Sequence, residues 1–232
     1  MSSLSQEELE RLRRAACAYL SLPTSTDLAP DASEEIFAYA VGGMTASELT
    51  TKKRSKLLFD VLRGSTGWSL KTYTPSRLDS GSVFEVVLAR AAVESRSRRS
   101  QAQTTIDIAT AKPEEVGTAV LAVRREVLER SKSEQNIDDP REAFILRSKN
   151  NQCFRVFEHP LEVESDSMVD WRWSNADRLG LQGWVDDRLA YRWYQSGGQL
   201  FGVFQIPESA QIIKLDWTRM NWEDFVGMSE DA

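Results

Sequence analysis

The chain has 232 residues, 41% hydrophobic and 28% charged, with a formal net charge of −6. The length suits one large domain or two small ones, and the negative charge argues against a general polyanion binder. No apolar run reaches the roughly 20 residues that span a bilayer, and two distant cysteines with a single histidine exclude a disulfide framework and a His/Cys zinc cluster.

The N-terminus, MSSLSQEELERLRRA, has no apolar segment, so no secretory signal is expected and the expected location is cytoplasmic. Ser5-Gln-Glu-Glu8 is a capping box that predicts a helix over 6–20, with Leu9, Leu12, Ala16, Tyr19 and Leu20 on one face. A second helix is expected from about Ser33 to Val41, ended by Gly42-Gly43. Thr45-Ala-Ser-Glu48 is another capping box, leading into the basic run Lys52, Lys53, Arg54 and Lys56.

A hairpin follows. Leu57–Leu62 reads as an apolar strand interrupted by Asp60, Gly64-Ser-Thr-Gly67 as the turn, and Trp68–Tyr73 as the return strand. Ser82-Val-Phe-Glu85 has the pattern of a helix start, with the helix running to about Glu94. Ser95–Ser100 is a basic loop carrying Arg96, Arg98 and Arg99. Thr104–Thr110 alternates like a strand, and Pro113 opens a long amphipathic helix to about Lys132.

After Asp138-Asp-Pro140 the pattern becomes strand-rich. Strands are expected at 143–148, 152–158, 168–173, 189–195, 199–206 and 211–215, with a short helix over 217–226. Six of the seven tryptophans lie in this last third. Alternation puts Trp171 and Trp173 on one strand face and Tyr191 and Trp193 on another, with Arg172 and Arg192 opposite them. The expected fold is α+β: a mixed central sheet with flanking helices and an antiparallel, aromatic-rich C-terminal sheet. It is read as one domain over 1–232, with a helical and catalytic core over 1–135 and a β-rich part over 140–232 that holds DNA-recognition elements.

The hairpin concentrates the chemistry. Ser69 and Lys71, two apart on a strand, share a face, and pairing through the turn brings Asp60 near Lys71. A helix starting at Ser82 and packed on the hairpin brings Glu85 to the same end. Asp60, Glu85 and the Leu70 carbonyl are then hard oxygen donors suited to Mg²⁺. Lys71 orients the attacking water and stabilises charge on a phosphate. Each residue also has a structural explanation: Glu85 as a helix cap, Asp60 and Lys71 as an ion pair. Glu48 and Glu35 are secondary acid candidates. His159, before Pro160, reads as a loop histidine, and a metal-independent hydrolase or transferase using it is a third reading.

The Asp60, turn and Ser69-Leu70-Lys71 pattern resembles the core of the PD-(D/E)xK nucleases, which include many type II restriction endonucleases. The usual acid two residues before the lysine is replaced here by Ser69. One subgroup shares that serine and takes its acid from a following helix, at a lysine–x13–glutamate spacing that Lys71 and Glu85 match. The subgroup's aspartate lies further upstream than Asp60, and its arginine-rich base-reading motif has no counterpart at Thr72–Arg77. The resemblance implies a restriction-endonuclease-like fold and a Mg²⁺-dependent endonuclease. That enzyme hydrolyses double-stranded DNA as a homodimer, with Arg77, Arg96, Arg98, Arg99, Arg172 and Arg192 as DNA-binding candidates. The competing expectation is a non-catalytic nucleic-acid- or protein-binding module.

Overall fold

The computed structural model describes residues 4–25, 27–49, 57–91 and 106–225. The chain divides into two compact units, and both halves of the sequence contribute to each. The first comprises Met1–Ser80, Gln135–Leu161 and Pro207–Ala232; the second comprises Gly81–Glu134 and Glu162–Ile206. The class is mixed α+β, with one mixed and one antiparallel sheet.

The first unit opens with α1 (Gln6–Ser21), whose capping box forms as its sequence predicts: Ser5 Oγ accepts from Glu8 N–H, and Glu8 accepts from Ser5 N–H. α2 (Pro30–Val41) begins earlier than expected, because Pro30 occupies the first turn, where its missing N–H costs nothing. Gly42 ends it at φ 66°, a left-handed conformation that glycine adopts without penalty. β1 (Met44–Thr45) and α3 (Ala46–Leu49) follow. The hairpin is β2 (Val61–Arg63) and β3 (Thr66–Tyr73), joined by Gly64-Ser65 with Gly64 at φ 58°. The turn is therefore two residues, not four, and Thr66 and Gly67 already belong to the strand.

β5 (Asp139–Arg147), β6 (Cys153–Pro160) and β11 (Ile212–Lys214) complete a six-stranded sheet ordered β1-β2-β3-β5-β6-β11. Among the described residues only β3 and β5 pair in parallel, so the chain must leave the sheet and return between them. One face of this sheet packs on α1 and α2. Leu12, Leu20 and Phe37 meet Trp68, Leu70, Ala143, Ile145 and Phe154 in a single core, with Phe37 edge-on to Trp68 at 5.8 Å.

The second unit contains β4 (Val83–Arg90), α4 (Pro113–Gln135, whose last residue falls in the first unit), β7 (Asp170–Trp173), β8 (Gly180–Val185), β9 (Arg188–Tyr194) and β10 (Gln199–Gln205). Its antiparallel sheet runs β4-β10-β9-β8-β7. Val116, Val120 and Leu121 of α4 cover Trp171, Leu181, Tyr191, Trp193 and Leu200.

Several expectations are corrected. The segment after Ser82 is strand β4, not a helix. Its β-branched residues suit a pleated surface, Phe84 and Val86 point inward, and β10 offers a full partner. Ser82 caps nothing: its carbonyl accepts from Ile206 N–H. Residues 106–110 form a turn, not a strand, because Asp107 accepts from Ala109 N–H and Thr110 Oγ1; Thr104 and Thr105 lie outside the described residues. β8 (Gly180–Val185) is a further strand outside the expected set, and its two glycines weaken the local strand signal. Among the described residues no helix is long and apolar enough to cross a membrane.

Candidate active site

Asp60 lies one residue before β2, and hydrogen bonds through its N–H, its carbonyl and its carboxylate hold it. Its N–H donates to Trp68 O, its carbonyl accepts from Ala46 N–H, and its Oδ2 accepts from Leu70 N–H, each at 2.8 Å. The pairing of β2 with β3 stops at Val61–Trp68, so Leu70 lies beyond it, and the Asp60 carboxylate serves its N–H there. A strand residue directs its N–H and C=O to the same edge. The Leu70 carbonyl therefore faces the side from which Asp60 approaches.

Ser69 and Lys71 flank Leu70 and share a face, as expected. Ser69 is fully buried, and Lys71 Nζ donates to its Oγ at 3.0 Å. Parallel pairing sets Ser69 beside Glu142 and Lys71 beside Phe144. Antiparallel pairing then sets Glu142 beside His159 and Phe144 beside Phe157. Glu142 is 3% exposed. His159 Nε2 lies 3.8 Å from Glu142 Oε2, and its ring stacks on Phe144 at 5.6 Å. A carboxylate this deep is expensive unless charge or hydrogen bonds answer it; His159 and the row containing Lys71 are the adjacent polar groups.

Glu142 is the residue that sequence reasoning does not reach, since the expected strand starts at Ala143 and β5 starts at Asp139. His159, read as a loop residue, sits within β6. The available signal was parity. Glu142, Phe144 and Leu146 alternate on one face of β5, but which strand lies next to Ser69 is set by the crossover pairing.

The other expected site residues are dispersed. Glu85 lies in strand β4 of the second unit, not in a first helical turn, and its Oε1 is 3.2 Å from Arg192 Nε. Glu48 accepts from Thr45 N–H at 2.7 Å, the capping role, and Glu35 is an exposed residue of α2. Arg77 is exposed and pairs with Asp79 at 2.9 Å. Arg172 and Arg192 belong to the second unit's sheet, while Arg96, Arg98 and Arg99 lie outside the described residues, as does the basic run from Lys52 to Lys56.

Among the described residues no three His, Cys, Asp or Glu side chains come together as a metal-ligand set. Mg²⁺ asks for less: it is held by one or two carboxylates and keeps several waters. Asp60 and the Leu70 carbonyl are oxygen-bearing groups at one strand edge, and Glu142 is the carboxylate next to Ser69. No protein-family model, curated protein or solved structure matches this chain.

Proposed function

We infer that the first unit hydrolyses phosphodiester bonds in double-stranded DNA with the help of Mg²⁺, on a restriction-endonuclease-like core, and acts as a homodimer where its target is palindromic. The observation that carries this reading is the Asp60 carboxylate held on Leu70, between Ser69 and Lys71, with the Leu70 carbonyl facing the same edge. Asp60 and that carbonyl would hold the ion, which when bound supplies positive charge to a scissile phosphate and acidifies a water.

The chain's own residues do the rest. Ser69 Oγ fixes the end of Lys71 at 3.0 Å. The ammonium then orients the attacking water and stabilises charge developing on the phosphate. Glu142 takes the place of the acid that Ser69 does not supply, because it neighbours Ser69 on the same face. Glu85 is left out of this set: its strand and its Arg192 partner give it a role in the second unit's sheet.

The test is incubation of purified protein with supercoiled plasmid and mixed-sequence linear DNA in Mg²⁺. Lys71→Met, checked for folding by circular dichroism, should lower cleavage at least 100-fold, as expected for a positioned catalytic group. Cleavage by Lys71→Met equal to the parent's would falsify this reading. The binding-module alternative draws on the same hydrogen bond, since an edge cap explains Asp60 without chemistry. Duplex binding with no cutting in Mg²⁺ or Mn²⁺ would favour it.

A further inference from the structure

The second unit's sheet has one face buried against α4 and one face open. Across the open face, cross-strand register aligns Arg172, Gln182, Arg192, Phe201 and Val87 in a row that crosses all five strands. Tyr194 and Arg90 stand on the adjoining row at either end of Gln199. On the other side Trp184 lies under Arg172, whose guanidinium is 5.5 Å from its ring centroid. Tyr194 is 38% exposed and meets Phe201 edge-on at 5.4 Å.

An open sheet face is usually polar. Here the rings of Tyr194, Phe201 and Trp184 share the face with Arg90, Arg172 and Arg192, and unpaired bases stack on such rings while guanidinium groups meet phosphates. The charge fits as well. Arg90, Arg172 and Arg192 outnumber Glu85 and Asp170, so the face is positive by one on a chain of net charge −6. The two acids are paired with arginines in exposed contacts. Arg172 with Asp170 has side chains 57% and 56% exposed, and Arg192 with Glu85 has 36% and 31%. Such pairs are weakly bound, so a phosphate can replace the carboxylate without a large cost. In duplex DNA the base faces are stacked out of reach; flat aromatic platforms serve single strands.

We propose that this open face binds single-stranded nucleic acid, with bases stacked on Tyr194 and Phe201 and phosphates at Arg192, Arg172 and Arg90. The proposal stands on the second unit alone and goes beyond the hydrolytic reading of the first.

Fluorescence anisotropy on the full chain, in EDTA at 50 mM NaCl, tests it with labelled dT15, U15 and a 15-base-pair duplex. The single strands should bind at least tenfold more tightly than the duplex. Phe201→Ala and Tyr194→Ala should each weaken that binding by about tenfold. Arg192→Ala should reduce the slope of log affinity against log salt by about 0.7, the contribution of one phosphate contact on a single strand. Tyr39→Ala, on an exposed position of α2 in the first unit, should change nothing. Equal affinity for duplex and single strand overturns the proposal, as does parental binding by folded Phe201→Ala and Tyr194→Ala. Failure to bind any oligonucleotide also overturns it and leaves a protein partner for this face. This reading is judged by binding in EDTA and by second-unit variants, and the hydrolytic reading by cleavage in Mg²⁺, so the two fail separately.

Discussion

Asp60 carries two roles that different substitutions separate. Its carboxylate answers the Leu70 N–H at 2.8 Å, and the same group is a metal donor in the hydrolytic reading. Asp60→Asn keeps an acceptor oxygen of the same size and should preserve the thermal midpoint within about 2 °C, yet lower cleavage at least 100-fold. Asp60→Ala removes the acceptor and should cost about 1–2 kcal/mol in denaturant unfolding as well. If Asp60→Asn cuts DNA at the parental rate, the carboxylate is an edge cap only. Asp60, Ser69 and Lys71 were legible in the sequence because an acid inside an apolar stretch and a lysine at strand parity are local signals. Glu142 was not, because its place beside Ser69 depends on a pairing formed across some 70 residues.

α4 depends on one close approach. A Cβ built on Gly117 would stand 2.2 Å from Trp171 Cδ2, and Trp171 is 2% exposed in the second core. Glycine in a helix interior normally weakens it, so Gly117→Ala would stabilise an isolated helix. Here the overlap with a buried ring outweighs propensity. We expect a loss of about 2–3 kcal/mol in urea unfolding, with loss of the near-ultraviolet tryptophan signal; a stabilised variant would show that Trp171 repacks freely. β4 teaches the same lesson from the other side. Ser82-Val-Phe-Glu85 carries helix-start chemistry, but Val83, Val86 and Val87 are β-branched residues suited to a strand, and β10 offers seven residues to pair with. Tertiary pairing overrides a local capping pattern worth about 1 kcal/mol.

Acid sensitivity should reveal how the N-terminal helix is tied to the first unit. Partial burial pushes the Glu8 carboxyl up, but hydrogen bonds from Ser5 and from Arg63 outweigh this and hold it below its ordinary 4.5. A carboxyl depressed in the folded state contributes stability above pH 4.5, and that contribution is lost as pH falls through its folded value. Glu8→Gln should melt about 2 °C lower at pH 7, and the gap should close as pH falls through the folded carboxyl's value; a gap that does not narrow in acid would rule out this linkage. Helices α1, α2 and α4, the hairpin, and most strands after residue 138 follow from caps, turns and periodicity, which act over a few residues. The division into two interleaved units, the parallel pairing that sets Glu142 beside Ser69, and the strand that carries Glu85 are different in kind. Each depends on which distant segment supplies the partner for a backbone edge or an apolar face, and no window of local sequence contains that partner.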